Sequence, residues 1–172
     1  MSKDWIYTNS GKKIRPLDPD PNVICIYDIA HALSNNCRYT GHSDLFYSVA
    51  QHSVIVSLLV PEEFALYAIL HDAGEAYLSD IASPVKKLPQ FEFYRTAEKH
   101  LQSVIYNKFG LSATEPEIVK EVDTKIRSNE FTDLFSSFEN EYERAYDLII
   151  KPLLPKDAKQ LFLDRFKELY NE

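Results

Sequence analysis

The 172-residue chain has only two cysteines, Cys25 and Cys37, and they are not in a CxxC spacing. A disulfide framework needs several paired cysteines and a thiolate metal site needs closely spaced ones, so the sequence argues against both. A reducing compartment suits such a chain, and we expect a cytoplasmic protein. Glycine is also scarce, with four residues, which favours a helical protein over a turn-rich β protein.

Long apolar runs and basic clusters are absent as well. No stretch approaches the roughly 18 apolar residues of a membrane span, and the first residues lack the apolar run of a signal peptide. The net charge of −7 disfavours nucleic acid as a partner, because such binding relies on clustered Lys and Arg. We therefore expect neither a membrane nor a nucleic acid as partner, although a few local cations could hold an anionic small molecule.

The sequence does contain hydrophobic residues at helical spacing over most of its length. Its 45% hydrophobic content suits a single domain over 1–172, in which the Pro-rich residues 1–24 predict an extended arm or short hairpin packed on the body. The spacing beyond this arm predicts an all-α bundle of five to seven helices. The main predicted segments are 28–36, 44–60, 62–78, 91–109, 116–131 and 157–170.

Some boundaries of these segments rest on particular residues. Gly110 suits the position just after a helix, where a left-handed backbone is common. Thr114 and Glu117 fit a capping box at the start of the next helix. Residues 83–89 contain a proline near each end, which predicts a loop.

Polar side chains interrupt the apolar faces of three predicted helices. His52, the adjacent pair His71 and Asp72, and Asp123 all fall within such faces. An unpartnered buried charge costs roughly several kcal/mol, so these groups need a hydrogen-bond network, an ion pair or a bound cation. Two imidazoles and two carboxylates suit a divalent cation with nitrogen and oxygen ligands. From spacing alone, hydrogen-bonded core or surface histidines are an equally good interpretation.

The order of these residues is more specific than their spacing. The segments CRYTGH…FYSVAQHS, LHDAGEAYLSDIASPVK and KEVDTKI lie within about residues 25–130. In that order they resemble the HD-domain metal-dependent phosphohydrolases. Within that group the chain is most similar to the bacterial 5′-deoxynucleotidases and to the short phage dATP triphosphohydrolases.

The resemblance implies a metal site with a catalytic carboxylate beside it. A divalent cation (Co²⁺, Mn²⁺, Zn²⁺ or Mg²⁺) would be held by His52, His71, Asp72 and Asp123. Glu75 would activate or position the attacking water, since a carboxylate beside a metal-bound water can take its proton. The alternative for Glu75 is a supporting partner of His71 or of a nearby arginine.

The resemblance also implies residues that contact the substrate. Asp80 matches an aspartate near the sugar and the reacting phosphate, although a helix-end cap is the alternative. Arg38 would bind the phosphate bidentately. Tyr39 takes the place of an aromatic residue of the sugar or base pocket, or else belongs to the core. Lys86 would add positive charge, whereas Lys87 would hold a triphosphate tail or, as we favour, lie on a solvated loop.

The implied activity is attack of metal-bound water on the α-phosphorus of a deoxynucleotide, with release of the deoxynucleoside. A deoxynucleoside triphosphate, most naturally dATP, is slightly favoured because the short chain and Pro-rich arm resemble the phage group. A 5′-deoxynucleotidase acting on monophosphates is the alternative. A non-catalytic nucleotide-binding module is a hypothesis of another class, and a nuclease is disfavoured by the charge. Because the relatives form dimers or larger rings, we expect a homo-oligomer.

Overall fold

The computed structural model describes residues 4–138 and 141–170, and these begin with a small β-hairpin. Strands β1 (Ile6–Tyr7) and β2 (Lys13–Ile14) pair antiparallel. The backbone N–H and the hydroxyl of Ser10 each donate to the Asp28 carboxylate at 2.7 Å, which fastens the hairpin to the first helix. Of the two alternatives predicted for the arm, the chain therefore adopts the hairpin.

Helices make up most of the rest of the described chain, as the sequence predicted. Eight α-helices occur there, and two of them, α4 and α5, are single turns. The six longer ones lie within the predicted number of five to seven. Their bounds are α1 (Ile26–Asn35), α2 (Val49–Leu59), α3 (Ala65–Leu70), α4 (Glu75–Leu78), α5 (Ser83–Lys86), α6 (Glu92–Lys108), α7 (Glu117–Leu134) and α8 (Pro155–Leu169).

The predicted continuous helix over 62–78 is wrong, because the chain turns between α3 and α4. Gln102 of α6 explains the break. Its side-chain Nε2 donates to the Leu70 carbonyl at 2.7 Å, and its Oε1 accepts from the Gly74 N–H at 2.9 Å. One amide thus satisfies backbone groups on both sides of the turn, which removes the cost of leaving them unpaired. The turn contains His71 and Asp72.

Three smaller expectations also differ from the structure. Helix α2 begins at Val49 and not near 44, because the Ser48 hydroxyl caps it by accepting from the Gln51 N–H at 3.2 Å. The predicted capping box is not formed, since Pro116 directly precedes α7 and no side chain caps that end. The predicted loop over 83–89 contains the one-turn helix α5.

Two hydrophobic clusters form the core, and helices α2 and α3 contribute to both. The first contains Leu33, Leu70, Leu101 and Phe162, and the second contains Tyr47, Val56, Ala68, Val119 and Ile126. His52 on α2 is therefore fully buried, whereas Asp72, directly after α3, keeps 22% of its side chain exposed. None of the helices in the described parts of the chain is long and apolar enough to cross a membrane.

Candidate metal centre

The four residues predicted as metal ligands converge from α2, the turn after α3, and α7. His52, His71 and Asp72 each offer a ligand atom within 4.8 Å of the others. Asp72 Oδ2 lies 3.2 Å from His71 Nε2 and 4.0 Å from His52 Nε2. Asp123 Oδ1 approaches His52 Nε2 to 3.1 Å. Two imidazoles and the Asp72 carboxylate therefore surround one small volume, and Asp123 borders it through its contact with His52.

Hydrogen bonds on the far sides of both imidazoles determine which nitrogen faces this volume. His71 Nδ1 lies 2.7 Å from the Ala68 carbonyl oxygen, which can only accept, so Nδ1 donates. His52 Nδ1 likewise donates to Glu130 Oε1 at 2.7 Å. Both Nε2 atoms are buried and have no hydrogen-bond partner among the described residues. In the neutral imidazoles the lone pairs of these nitrogens would face carboxylates, an arrangement that fits a divalent cation.

The charges of the clustered side chains also fit a bound cation. Burial alone would lower the pKa of His71, but the Asp72 carboxylate outweighs it and raises that pKa to about 10. Burial alone would raise the pKa of Asp72, but His71 and then His52 and Arg38 hold it well below its usual range. A proton on His71 thus offsets part of the negative charge. A metal ion would displace this proton, because ligating imidazoles are neutral.

Glu130 is a buried residue of the candidate site that the sequence did not predict. Its side chain is fully buried, with Oε1 bound to His52 as above. Its Oε2 accepts a hydrogen bond from Arg38 Nη2 at 3.1 Å and a second from the Tyr39 hydroxyl. Burial raises the pKa of Glu130, but Arg38 and His52 outweigh it and keep the group ionised. Its position seven residues after Asp123, two turns along the same face of α7, was the available signal.

Arg38 borders the ligand carboxylates as well as Glu130. Its Nη1 lies 3.7 Å from Asp72 Oδ2 and its Nη2 lies 4.0 Å from Asp123 Oδ1. Burial opposes its charge, but Glu130 and the other neighbours raise the pKa of Arg38 well above its usual value. The following residue, Tyr39, has φ 56°, an uncommon conformation for a non-glycine residue. Arg38 is thus a fixed cation beside the candidate metal site.

Glu75 and Asp80 both line one cavity that also has Asp72 in its wall. Glu75 opens α4, and its Oε2 is buried with no hydrogen-bond partner in the described residues. Burial raises the pKa of Glu75 well above its usual value, and Asp72 and Asp80 add to the shift. A carboxyl with an unpartnered oxygen in the wall of a cavity can exchange a proton with a group bound there.

The two predicted lysines differ in position. Lys86 Nζ donates a hydrogen bond to Glu98 Oε1 at 2.7 Å, and Lys86 lines both cavities described below. Lys87 is exposed and lines neither of them. The structure therefore brings Lys86 to the site and leaves Lys87 outside it.

Two cavities open beside the ligands and share Asp72, Glu75 and Lys86 in their walls. We call the first, of about 540 Å³, the aromatic cavity; its walls include Arg38, Tyr39, Asp80, Asp123, Arg127, Phe131, Phe135 and Phe138. We call the second, of about 450 Å³, the charged cavity; its walls include His71, Arg95, Glu98, Lys99, Glu115 and Lys120.

Replacing Asp123 with alanine is expected to lower the affinity for Mn²⁺ or Co²⁺ by more than about 100-fold, because a change in a supporting residue alone costs about 10- to 100-fold. Isothermal titration calorimetry measures this affinity. Glu121→Ala is the matched control, since Glu121 is an exposed carboxylate on the same helix that pairs with Lys125 at 3.6 Å. Equal metal affinity in the two variants would contradict a ligand role for Asp123.

Comparison with known proteins gives relatives but no activity. No family model matches the chain. It is 40% identical over 173 residues to "Uncharacterized protein YfdR" of Escherichia coli (strain K12), covering 96% of this chain and 95% of that protein. It is 36% identical over 129 residues to "Uncharacterized protein RCAP_rcc00048" of Rhodobacter capsulatus, covering 70% of this chain and 65% of that protein. At this identity and coverage, the chain belongs to the family of the Escherichia coli protein YfdR.

Proposed function

We propose that the protein is a metal-dependent phosphohydrolase that cleaves deoxynucleotides at the α-phosphorus and releases the deoxynucleoside. The observation that carries this proposal is the pair of buried, unpartnered Nε2 atoms of His52 and His71 beside Asp72 and Asp123. The resemblance of these positions to the HD-domain phosphohydrolases supports the same reaction. Glu75 and Arg38, which the reaction also needs, lie beside the four ligands.

The ligand set suits a metal-assisted reaction at phosphorus. When bound by the four ligand residues, a divalent cation would supply Lewis-acid polarisation of a phosphoryl oxygen and a lowered pKa for water. Glu130 would hold the His52 ring in the orientation that presents Nε2. The Ala68 carbonyl would do the same for His71.

Arg38 and Glu75 would act on the substrate. Arg38 would bind non-bridging oxygens of the α-phosphate, because two carboxylates and one cation leave the negative charge of the phosphate uncompensated. Glu75 would take a proton from the attacking water as the oxygen bonds to phosphorus. The bond between phosphorus and the 5′-oxygen would then break, and that oxygen would leave as the hydroxyl of the deoxynucleoside after gaining the proton that Glu75 took from the water.

The mono- and triphosphate reactions break the same bond and use the same ligands. The resemblance to the phage group slightly favours a triphosphate, with dATP as the first candidate. Lys87 lies outside both cavities, and Lys86 is paired with Glu98. Both observations weaken the expectation that these lysines bind a triphosphate tail. A 5′-deoxynucleotidase therefore stays a direct competitor within the same proposal.

Product analysis tests the proposal. The protein is incubated with Mn²⁺ or Co²⁺ and a panel of ribo- and deoxynucleoside mono- and triphosphates, with Asp123→Ala as the control for contaminating phosphatase. Deoxynucleoside plus triphosphate would identify a triphosphohydrolase, and deoxynucleoside plus phosphate from monophosphates alone would identify a 5′-deoxynucleotidase. No turnover by metal-loaded protein would refute the enzyme and favour a nucleotide-binding module.

Arg38→Lys is expected to lower kcat/KM by about 10- to 100-fold, mainly through KM, because lysine keeps the charge but loses the bidentate geometry. Steady-state kinetics with the substrate found above measures the change. Arg144→Lys is the matched control, since that arginine pairs with Asp133 and lines neither cavity. Unchanged KM in Arg38→Lys would contradict a phosphate-binding role.

A further inference from the structure

We propose that Phe131, Phe135 and Phe138 form, with the ring of Tyr39, a binding surface for the base of the nucleotide. This inference rests on the proposed function and extends it, because it assigns the aromatic cavity to one end of the substrate. Only Tyr39 among these residues follows from the resemblance. The three phenylalanines come from the structure alone.

The four rings form one continuous surface. Tyr39 packs edge-on against Phe135 at 5.2 Å between ring centroids and lies 5.3 Å from Phe131. Phe131 lies 5.5 Å from Phe135 and 5.8 Å from Phe138. All four are only partly buried, although large aromatic side chains gain most from full burial. The rings are tilted or edge-on to one another, and Phe131 also stacks on Tyr142 at 4.9 Å. Together they line the cavity with an apolar aromatic wall against which a planar ligand can pack.

The surface is continuous with the metal centre along one helix. Asp123, Phe131 and Phe135 follow one another on α7 and its end, so they lie at increasing distance from the ligands. At about 1.5 Å of rise per residue, Phe131 is roughly 12 Å along the helix from Asp123. The same cavity thus has Asp123 and Arg38 in one part of its wall and the three phenylalanines in another, with the Tyr39 ring beside Arg38.

Glu130 connects the two parts of this wall. Its Oε2 holds both the guanidinium of Arg38 and the hydroxyl of Tyr39, which are neighbours in the chain. The phosphate-binding cation and the first ring of the aromatic surface are therefore fixed by one buried carboxylate. A ligand with an anionic group and an apolar plane, such as a nucleotide, would match both the cation and the rings of this cavity.

Arg127 offers a further contact for the base. It lines the same cavity, is exposed, and its one hydrogen bond in the described chain goes to the Thr124 carbonyl at 3.4 Å. A guanidinium plane can stack on an aromatic ring or donate to a ring nitrogen. A fatty chain or an apolar peptide would not use this cation, so the combination favours a heteroaromatic base.

Binding measurements test the surface independently of turnover. In Glu75→Gln protein with Mn²⁺, which is designed not to turn substrate over, affinities for dAMP and for 2-deoxyribose 5-phosphate are measured by calorimetry. Adding Phe131→Leu, which keeps an apolar side chain but removes the ring, is expected to weaken dAMP binding by about 5- to 150-fold, as loss of one base-stacking partner does. The affinity for 2-deoxyribose 5-phosphate should not change, because it has no base.

Phe93→Leu is the matched control, since Phe93 is an exposed phenylalanine on α6 that lines neither cavity. Unchanged dAMP affinity in Phe131→Leu would overturn the inference, as would an equal loss for dAMP and 2-deoxyribose 5-phosphate. The proposed hydrolase activity and the proposed base-binding surface are rejected by different results. Absence of turnover by the wild type rejects the hydrolase, whereas a ring-dependent affinity for dAMP still supports the base-binding surface.

Discussion

Glu75→Gln is expected to lower kcat by about 10²- to 10⁴-fold while the protein keeps its affinity for the metal, because the amide preserves the shape of the side chain but cannot take a proton. The reasons for this expectation are the buried, unpartnered Oε2 of Glu75 and the place of Glu75 beside Asp72 in the cavity wall. If Glu75 only supported His71, the same change would weaken metal binding and leave kcat of the metal-saturated enzyme nearly unchanged.

Two measurements separate these roles. Calorimetry with Mn²⁺ gives the metal affinity, and turnover at saturating Mn²⁺ and substrate gives kcat. Glu168→Gln is the control, since this exposed carboxylate pairs with Arg165 on α8 and lines neither cavity. A Glu75→Gln enzyme with wild-type kcat would reject the proton-transfer role.

The sequence identified the candidate ligands because of a local signal. His52 and Asp123 are polar residues at positions where the helical period calls for apolar ones, and each lies within a single helix. The pattern needs no knowledge of distant contacts. The hairpin and most of the helices are local in the same sense, so their existence was predictable even where their ends were not.

The parts that escaped prediction depend on contacts between distant segments. The turn that carries His71 and Asp72 is held by Gln102, about thirty residues further along on α6, as the bonds to Leu70 and Gly74 show. A continuous helix through this segment is locally reasonable. No property of residues 62–78 themselves indicates that a side chain from α6 will replace the helical hydrogen bonds.

The burial and the partners of Glu130 were not predicted for a related reason. Its partners Arg38 and Tyr39 lie 92 and 91 residues away in the sequence, and His52 lies 78 residues away. A glutamate in the second half of an amphipathic helix usually faces solvent. Its position on the face of Asp123 was a local signal, but its partners become predictable only once Arg38 is known to lie beside Asp123.

Glu130→Gln is expected to weaken metal binding by about 10- to 100-fold and to lower the free energy of unfolding by about 3 kcal/mol. The first effect follows because His52 loses the carboxylate that sets its tautomer, and the second because the buried Arg38 loses its closest counter-charge. Calorimetry and urea unfolding of metal-free protein measure the two effects separately.

The control for Glu130 is Asp133→Asn, which tests whether destabilising α7 is enough to lose the metal. Asp133 is also a nearly buried carboxylate on α7, and it pairs with Arg144 and accepts from the Ile150 N–H at 2.8 Å. We expect this variant to lose stability and keep its metal affinity. If Glu130→Gln behaves the same way, Glu130 is only a structural partner of Arg38. If Glu130→Gln alone loses the metal, the carboxylate acts through His52, and a residue outside the four predicted ligands contributes to the affinity for the ion.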